Sequence, residues 1–334
     1  MAQTKLTLTG LATLVAAYVD KELQLIEAED YELDRESFSG LLVKVGKQLM
    51  QDSTFTDRLS EFDSEELPFG TTIEEYFINL LMPTDHDPSG SNAMAPDDPN
   101  FEDAVYTKQL PRKTFKQTVR DNVYEKAMLS QADLSSVISN VVKRLKDSQI
   151  VYKYNVKRQL LGNLADFAVK AQADNANLTI VHKHAVPNDN ATGESFIKLI
   201  KSRVTELAIM QTETNNMGNV LAVAPSLMLY INVGKAKELV PSIDVDTLAG
   251  AFNKDKVEIP VEVKQLENFG TMEEDENVYA ILLDPRGVAL HPHRPNYKTQ
   301  DNASGEFINL FAHETYIGYL SKFTNVNVFT TTGL

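Results

Sequence analysis

The chain has no cysteine and no tryptophan, only six histidines, and no more than 15 glycines and 13 prolines in 334 residues. Without cysteine there is no disulfide framework and no thiol nucleophile, so any durable shape is held non-covalently. No apolar run approaches the roughly 18 residues of a membrane-spanning helix. The stretch Leu11 to Val19 is short, ends in Asp20-Lys21 and has no clear small-residue cleavage site, so it does not read as a signal peptide. Also missing are a Walker loop, GxGxxG, GxSxG and any internal repeat. Nothing in the sequence is arranged for chemistry by these signatures.

The histidines are few but paired. His182 and His184 in VHKHA, and His291 and His293 in LHPHR, are each two apart, which on a strand puts both side chains on one face. Zinc wants four ligands, or three and a water, and no third ligand lies at a helical or hairpin spacing from either pair. In FAHETY, His313-Glu314 is followed at position 317 by isoleucine, so HExxH is not formed. No catalytic, metal or cofactor residue is assigned. The histidines read as exposed or hydrogen-bonded side chains, and a metal-dependent enzyme using His182/His184 and His291/His293 is the weakest functional reading.

Basic residues are scarce in the first third. Residues 1–110 carry 7 Lys and Arg against 22 Asp and Glu, whereas residues 111–334 carry 25 of each. Within the latter, residues 111–170 hold 12 basic and 5 acidic side chains. One end of this chain can therefore attract the middle of another copy. A net charge of −15, with no basic patch interleaved with aromatics, is a poor basis for wrapping nucleic acid.

What is present is an α+β pattern. Residues 11–29 and 36–60 read as amphipathic helices, the second with Leu41, Leu42, Val45 and Leu49 on one face. After the turn Leu67-Pro-Phe-Gly70, residues 71–82 and 101–116 read as extended, separated by a Pro, Asp, Ser, Asn and Gly run from Pro83 to Pro99. That arrangement predicts a long hairpin with a polar tip, and a loop so long is usually functional or disordered. From Ser130, Leu134, Ile138, Val141, Leu145, Tyr152, Val156, Leu160, Leu164 and Phe167 recur at steps of three and four, with one double step across Gln149. They predict one helix to about Ala171, or two broken near Asp147-Ser148. Helices are expected over 196–211 and 245–252, and strands over 227–232, 257–265, 278–283, 287–291 and 326–330. Residues 306–319 are strand-like, and Asp284-Pro285-Arg286 reads as the turn of a hairpin.

This order of helical arm, extended loop, spine helix, α/β region and closing strands resembles the Hong Kong 97-type major capsid protein of tailed phages. Ile243-Asp-Val-Asp-Thr-Leu-Ala-Gly-Ala-Phe-Asn253, Pro68-Phe-Gly70 with Thr72-Ile-Glu-Glu75, and the ending FINLFAHETYIGYLSKFTNVNVF are similar to the major head proteins of short-tailed, phi29-type phages. The resemblance implies an N-terminal helical arm (1–66), an extended loop (67–116), a peripheral domain with the spine helix (117–185), an axial α/β domain (186–305) and closing peripheral strands (306–334).

It further implies self-assembly through pentamers and hexamers into an icosahedral head around double-stranded DNA. That head would be assembled in the host cytoplasm without a membrane, with a scaffolding protein and a portal as further partners. Arg112, Lys113, Lys116, Phe69 and Phe101 are the expected assembly-surface residues, and no cofactor is expected. Starting at Met1 and stopping soon after Thr330, the sequence is expected to lose no N-terminal segment and to carry no C-terminal immunoglobulin-like domain. The parent fold can form lysine to asparagine crosslinks, for which Lys108 with Asn325 or Asn327 are the conceivable partners, but phi29-type heads generally do without them. An encapsulin-like compartment shell is the alternative.

Overall fold

In a computed structural model, residues 55–68, 70–78, 101–107, 109–123, 131–171, 181–185, 192–208, 226–235, 259–270, 278–321, 323–324 and 326–330 are described. The expected helices at 11–29, 36–54 and 245–252, the loop 83–99, and Phe69, Lys108 and Asn325 lie outside them.

The centre is a five-stranded sheet in the order β4 (Val181–Ala185), β12 (Val326–Thr330), β7 (Val278–Leu283), β5 (Leu227–Asn232), β6 (Val261–Leu266). Its outer pairs, β12 with β4 and β5 with β6, are parallel, and the inner pairs are antiparallel. Every residue of β5, β7 and β12 is buried, because both faces are covered. Leu227, Leu229 and Ile231 pack with Phe196, Ile200 and Val204 of α2 (Thr192–Ala208). Their alternates, Met228 and Tyr230, pack with Leu160, Leu161 and Leu164 of α1 (Gln131–Ala171). The period of two along each strand thus feeds two separate cores.

Helix α1 is continuous for 41 residues, about 60 Å at 1.5 Å per residue. It does not break at Asp147-Ser148, where the Ser148 hydroxyl donates to the Arg144 carbonyl at 2.8 Å and so stays within the helix's own bonding pattern. Its earlier half supports a second sheet, β3 (Lys113–Arg120), β10 (Phe307–Glu314) and β9 (Asn296–Asn302), with β10 in the middle. Phe115 meets Tyr152 edge-on at 5.7 Å, and Lys146 and Gln149 both donate to the buried Tyr297 hydroxyl.

The two extended segments pair as expected: β1 (Ile73–Ile78) runs antiparallel to β2 (Phe101–Tyr106), from Ile73 opposite Tyr106 to Ile78 opposite Phe101.

Two expectations are corrected. β7 and β8 (Val288–Pro292) do not form a hairpin: the turn Pro285–Gly287, capped by Asp284 accepting from the Arg286 amide, carries the chain out of the five-stranded sheet, and β8 pairs instead with β11 (Tyr316–Leu320). Val288 and Leu290 of β8 enter the same core as Val278, Ile281 and Leu283 of β7, so the two strands share burial but not a hydrogen-bonded ladder. The second correction concerns the expected helix 36–60. Its last residues are not α-helical, because Asp57 turns its side chain onto the Leu59 amide and Ser60–Phe62 form a single 3-10 turn. Leu59 and Phe62 are fully buried there, so tertiary burial overrides the local period. Residues 57–67 run on as a strap beside β8. The amides of Ser64 and Leu67 donate to the carbonyls of Leu290 and Pro292.

Candidate assembly surface

Of the expected surface residues, three lie at or beside one strand. Arg112 precedes β3, Lys113 begins it, and Lys116 follows three positions on; all are exposed, but the strand's alternation puts Lys113 on the face opposite Lys116. Phe101 begins β2 opposite Ile78, with its side chain outside the described residues.

Along β3 the odd-numbered Phe115, Gln117 and Val119 face α1, and Thr114, Lys116, Thr118 and Arg120 are exposed. The register then fixes what shares their face: His313, Phe311, Asn309 and Phe307 on β10, and Asn296, Lys298, Gln300 and Asn302 on β9. None of these paired outward positions is Asp or Glu, in a chain with 47 acidic residues. Lys116 stands 6.0 Å above the Phe311 ring, and the rings of Phe311 and His313 are stacked 6.1 Å apart. His313 also shares a 2.8 Å hydrogen bond with the Thr114 hydroxyl. Burial, and then the positive charges of Arg112 and Lys298, hold the His313 imidazole below its usual range. The face is therefore basic as a unit. Sequence reading missed Arg120 and Lys298. Arg120 was legible, since it continues the alternation from Lys116, whereas Lys298 reaches this face only through strand pairing.

The β1–β2 hairpin presents the opposite chemistry. Its inner side is anchored: Tyr106 packs on Tyr319 at 4.9 Å, and the hydroxyls of Tyr106 and Ser321 donate to Glu75 at 2.7 and 2.6 Å. Its outer side carries Glu74 and Asp103 beside Tyr76, 64% exposed, and Val105, 49% exposed. Acidic groups around uncovered apolar surface mark a face suited to a partner.

Among the described residues no three His, Cys, Asp or Glu side chains are grouped as metal ligands. His182 and His184 lie on β4, with side chains outside the described residues. His291 and His293 face the strap, where Nδ1 of each meets a backbone carbonyl, that of Glu65 at 3.0 Å and that of Leu67 at 2.9 Å. A carbonyl only accepts, so both Nδ1 atoms carry hydrogen. These imidazoles fasten backbone.

The sequence model of a family described as Phi29-like phage major capsid protein matches residues 15–330. The major capsid protein of Bacillus phage B103 is 21% identical over 306 residues, covering 90% of this chain and 64% of that protein. That of Bacillus phage PZA is 20% identical over 303 residues, covering 87% and 62%. The chain thus spans a little under two thirds of the length of the curated relatives it matches. Among solved structures, a chain of the Staphylococcus phage Andhra capsid superposes with a TM-score of 0.58 at 12% identity, over 96% of this chain and 100% of that one. A chain from a structure of bacteriophage P68, described as head fiber and inner core protein gp22, gives 0.55 at 12% identity, over 85% and 87%. The fold is that of phage capsid proteins, and with the family matched along nearly its whole length this chain belongs to the Phi29-like phage major capsid proteins.

Proposed function

We propose that the chain builds the icosahedral head of a short-tailed phage, closing through pentamers and hexamers around double-stranded DNA. The observation that carries this reading is the family match over residues 15–330, which spans the hairpin, the long helix and both sheets. In Hong Kong 97-type terms, β1–β2 is the base of the extended loop, α1 the spine, β3–β10–β9 part of the peripheral domain and the five-stranded sheet the axial domain. A scaffolding protein and a portal are the further partners this assignment brings, with assembly in the host cytoplasm. The relatives are structural capsid proteins, which lends support to neither a compartment shell nor an enzyme.

The assembly surface has a definite chemistry. The basic face around Lys116, with Arg112, Arg120 and Lys298, suits an acidic partner, and the hairpin face of a neighbouring copy, with Glu74, Tyr76, Asp103 and Val105, supplies one. A contact of this heterologous kind between identical copies closes into rings when the rotation allows. Negative-stain microscopy of the purified full chain, alone and with its phage's scaffolding protein, tests the reading. Closed shells of uniform diameter are expected. A protein that stays monomeric under both conditions would count against it.

A further inference from the structure

Lys157 lies in the middle of α1 with its side chain fully buried. Val156, Leu160 and Leu161 beside it are apolar core. A charge in that setting is costly unless it is paired, and both partners come from the strap: Asp57 Oδ2 and Asp63 Oδ1, each at 2.5 Å. Lys153, one turn earlier on α1, adds a second bond to Asp63 at 2.7 Å.

The two aspartates flank the turn Ser60–Phe62, so both ends of that turn are tied to one nitrogen. Between them Leu59 and Phe62 enter the core shared by α1 and the five-stranded sheet. Glu61 points the other way. It accepts from the Tyr230 hydroxyl of β5 at 2.7 Å and from Lys264 of β6 at 2.6 Å, and Lys264 also donates to the Arg58 carbonyl at 3.0 Å. Burial, with Glu61 next to it, holds the Tyr230 phenol protonated far above its usual range, so it remains a donor. Beyond the turn, His291 and His293 of the β8 segment fasten the strap's carbonyls.

We propose that Lys157 is the pin of a clamp: through residues 57–67 it fixes the long helix to the five-stranded sheet and β8, and so sets the shape that the subunit presents to its neighbours in a shell. The shell half of this inference rests on the capsid reading above. An apolar side chain at 157 would fill the space without the desolvation cost, but it would not specify one register of strap against helix. The directional ionic contacts do, and fixing register is the best-attested use of a buried charge network.

The test is Lys157→Met in the full chain, read by hydrogen exchange of free subunits and by particle diameter after assembly. The amides of Ser64 and Leu67, which donate to β8, should exchange roughly tenfold faster or more, while those of β5, β7 and β12 keep their protection. Particle diameters should broaden relative to the unmodified protein. Asp63→Asn, at the more exposed of the two carboxylates, leaves Lys157 paired with Asp57 and should show the same pattern more weakly; it decides the matter if Lys157→Met does not fold. Unchanged exchange at Ser64 and Leu67 in a folded variant overturns the clamp. A loosened strap with shells of unaltered uniform diameter overturns its role in shape. Failure of the unmodified chain to form shells counts against the capsid reading instead, and the exchange measurement still decides the clamp.

Discussion

Tyr316 donates its hydroxyl hydrogen to the carboxylate of Glu314, two residues back along the chain, although the two belong to different sheets. Glu314 ends β10 and Tyr316 begins β11, so this bond spans the corner where the chain leaves the basic sheet for the β8–β11 pair. Burial raises the Glu314 carboxyl above its ordinary value, outweighing the lowering by the Tyr316 hydroxyl and by Lys146 and Lys153.

A raised carboxyl binds its proton more tightly in the folded chain than in the unfolded one. Its contribution to stability is therefore complete below about pH 4.3, the unfolded value, and is lost as pH rises through the folded value. Glu314→Gln keeps an acceptor for Tyr316 and removes the titration. It should raise the melting temperature of free subunits at neutral pH and flatten the pH dependence above about 4.3. Melting curves of both proteins across that range are the measurement, and parallel curves would show that the buried carboxyl is not responsible.

Phe62 is fully buried and packs 5.5 Å from the Tyr230 ring. Phe62→Ala should destabilise free subunits by about 3–5 kcal/mol, the usual cost of removing a buried aromatic side chain, as measured by guanidinium unfolding. A loss near zero would place the strap outside the folding unit.

Gly318 of β11 lies against α1, where an added Cβ would come within 3.1 and 3.2 Å of the two Leu160 methyl carbons. Gly318→Val should therefore cost about 1–3 kcal/mol through overpacking. The companion change Leu160→Ala opens space opposite, so the two substitutions together should cost less than their sum in a double-mutant cycle.

If the basic sheet face meets an acidic neighbour, Lys116→Glu with Arg112→Glu and Lys113→Glu should weaken assembly at low salt more than at high salt. Exposed pairs are individually weak and screened over roughly 10 Å at 0.1 M, so the effect is collective. Glu74→Lys with Asp103→Lys in the same chain should restore part of the yield. Light scattering across a salt series measures it, and equal yields for all three proteins would leave this face without an assembly role.

The segment Thr84–Asn100 has Ala93, Met94 and Ala95 as its apolar residues, among prolines and aspartates that oppose burial. Replacing it with a short Gly-Ser turn should leave the melting temperature of free subunits nearly unchanged and make closed particles rare or fragile. Unfolding of the shortened chain would assign the segment to the core, and robust normal particles would remove it from the shell contacts.

Much of the fold was legible because its signals are local. The 41-residue helix announces itself by apolar residues at steps of three and four with one double step, and β7 and the first five residues of β5 by apolar runs suited to a doubly covered strand. The hairpin's two arms and the basic character of Arg112, Lys113 and Lys116 were equally plain. What the local pattern could not carry was pairing. β7 and β8 read as a hairpin because a tight turn joins them, yet each finds a better partner far along the chain, in β12 and β11. Lys298 joins Lys116 on one face only because β9 and β3 both pair with β10.

The same division holds for the strap. The sequence alone set the charges and the periods, since these depend on residue type and spacing within a few positions. Only tertiary structure could decide that Asp57, 100 residues before Lys157, would neutralise it, or that two paired histidines would hold backbone carbonyls. A buried charge accepts whichever partner the packing of distant segments brings within hydrogen-bond reach, and that choice is made by the core as a whole.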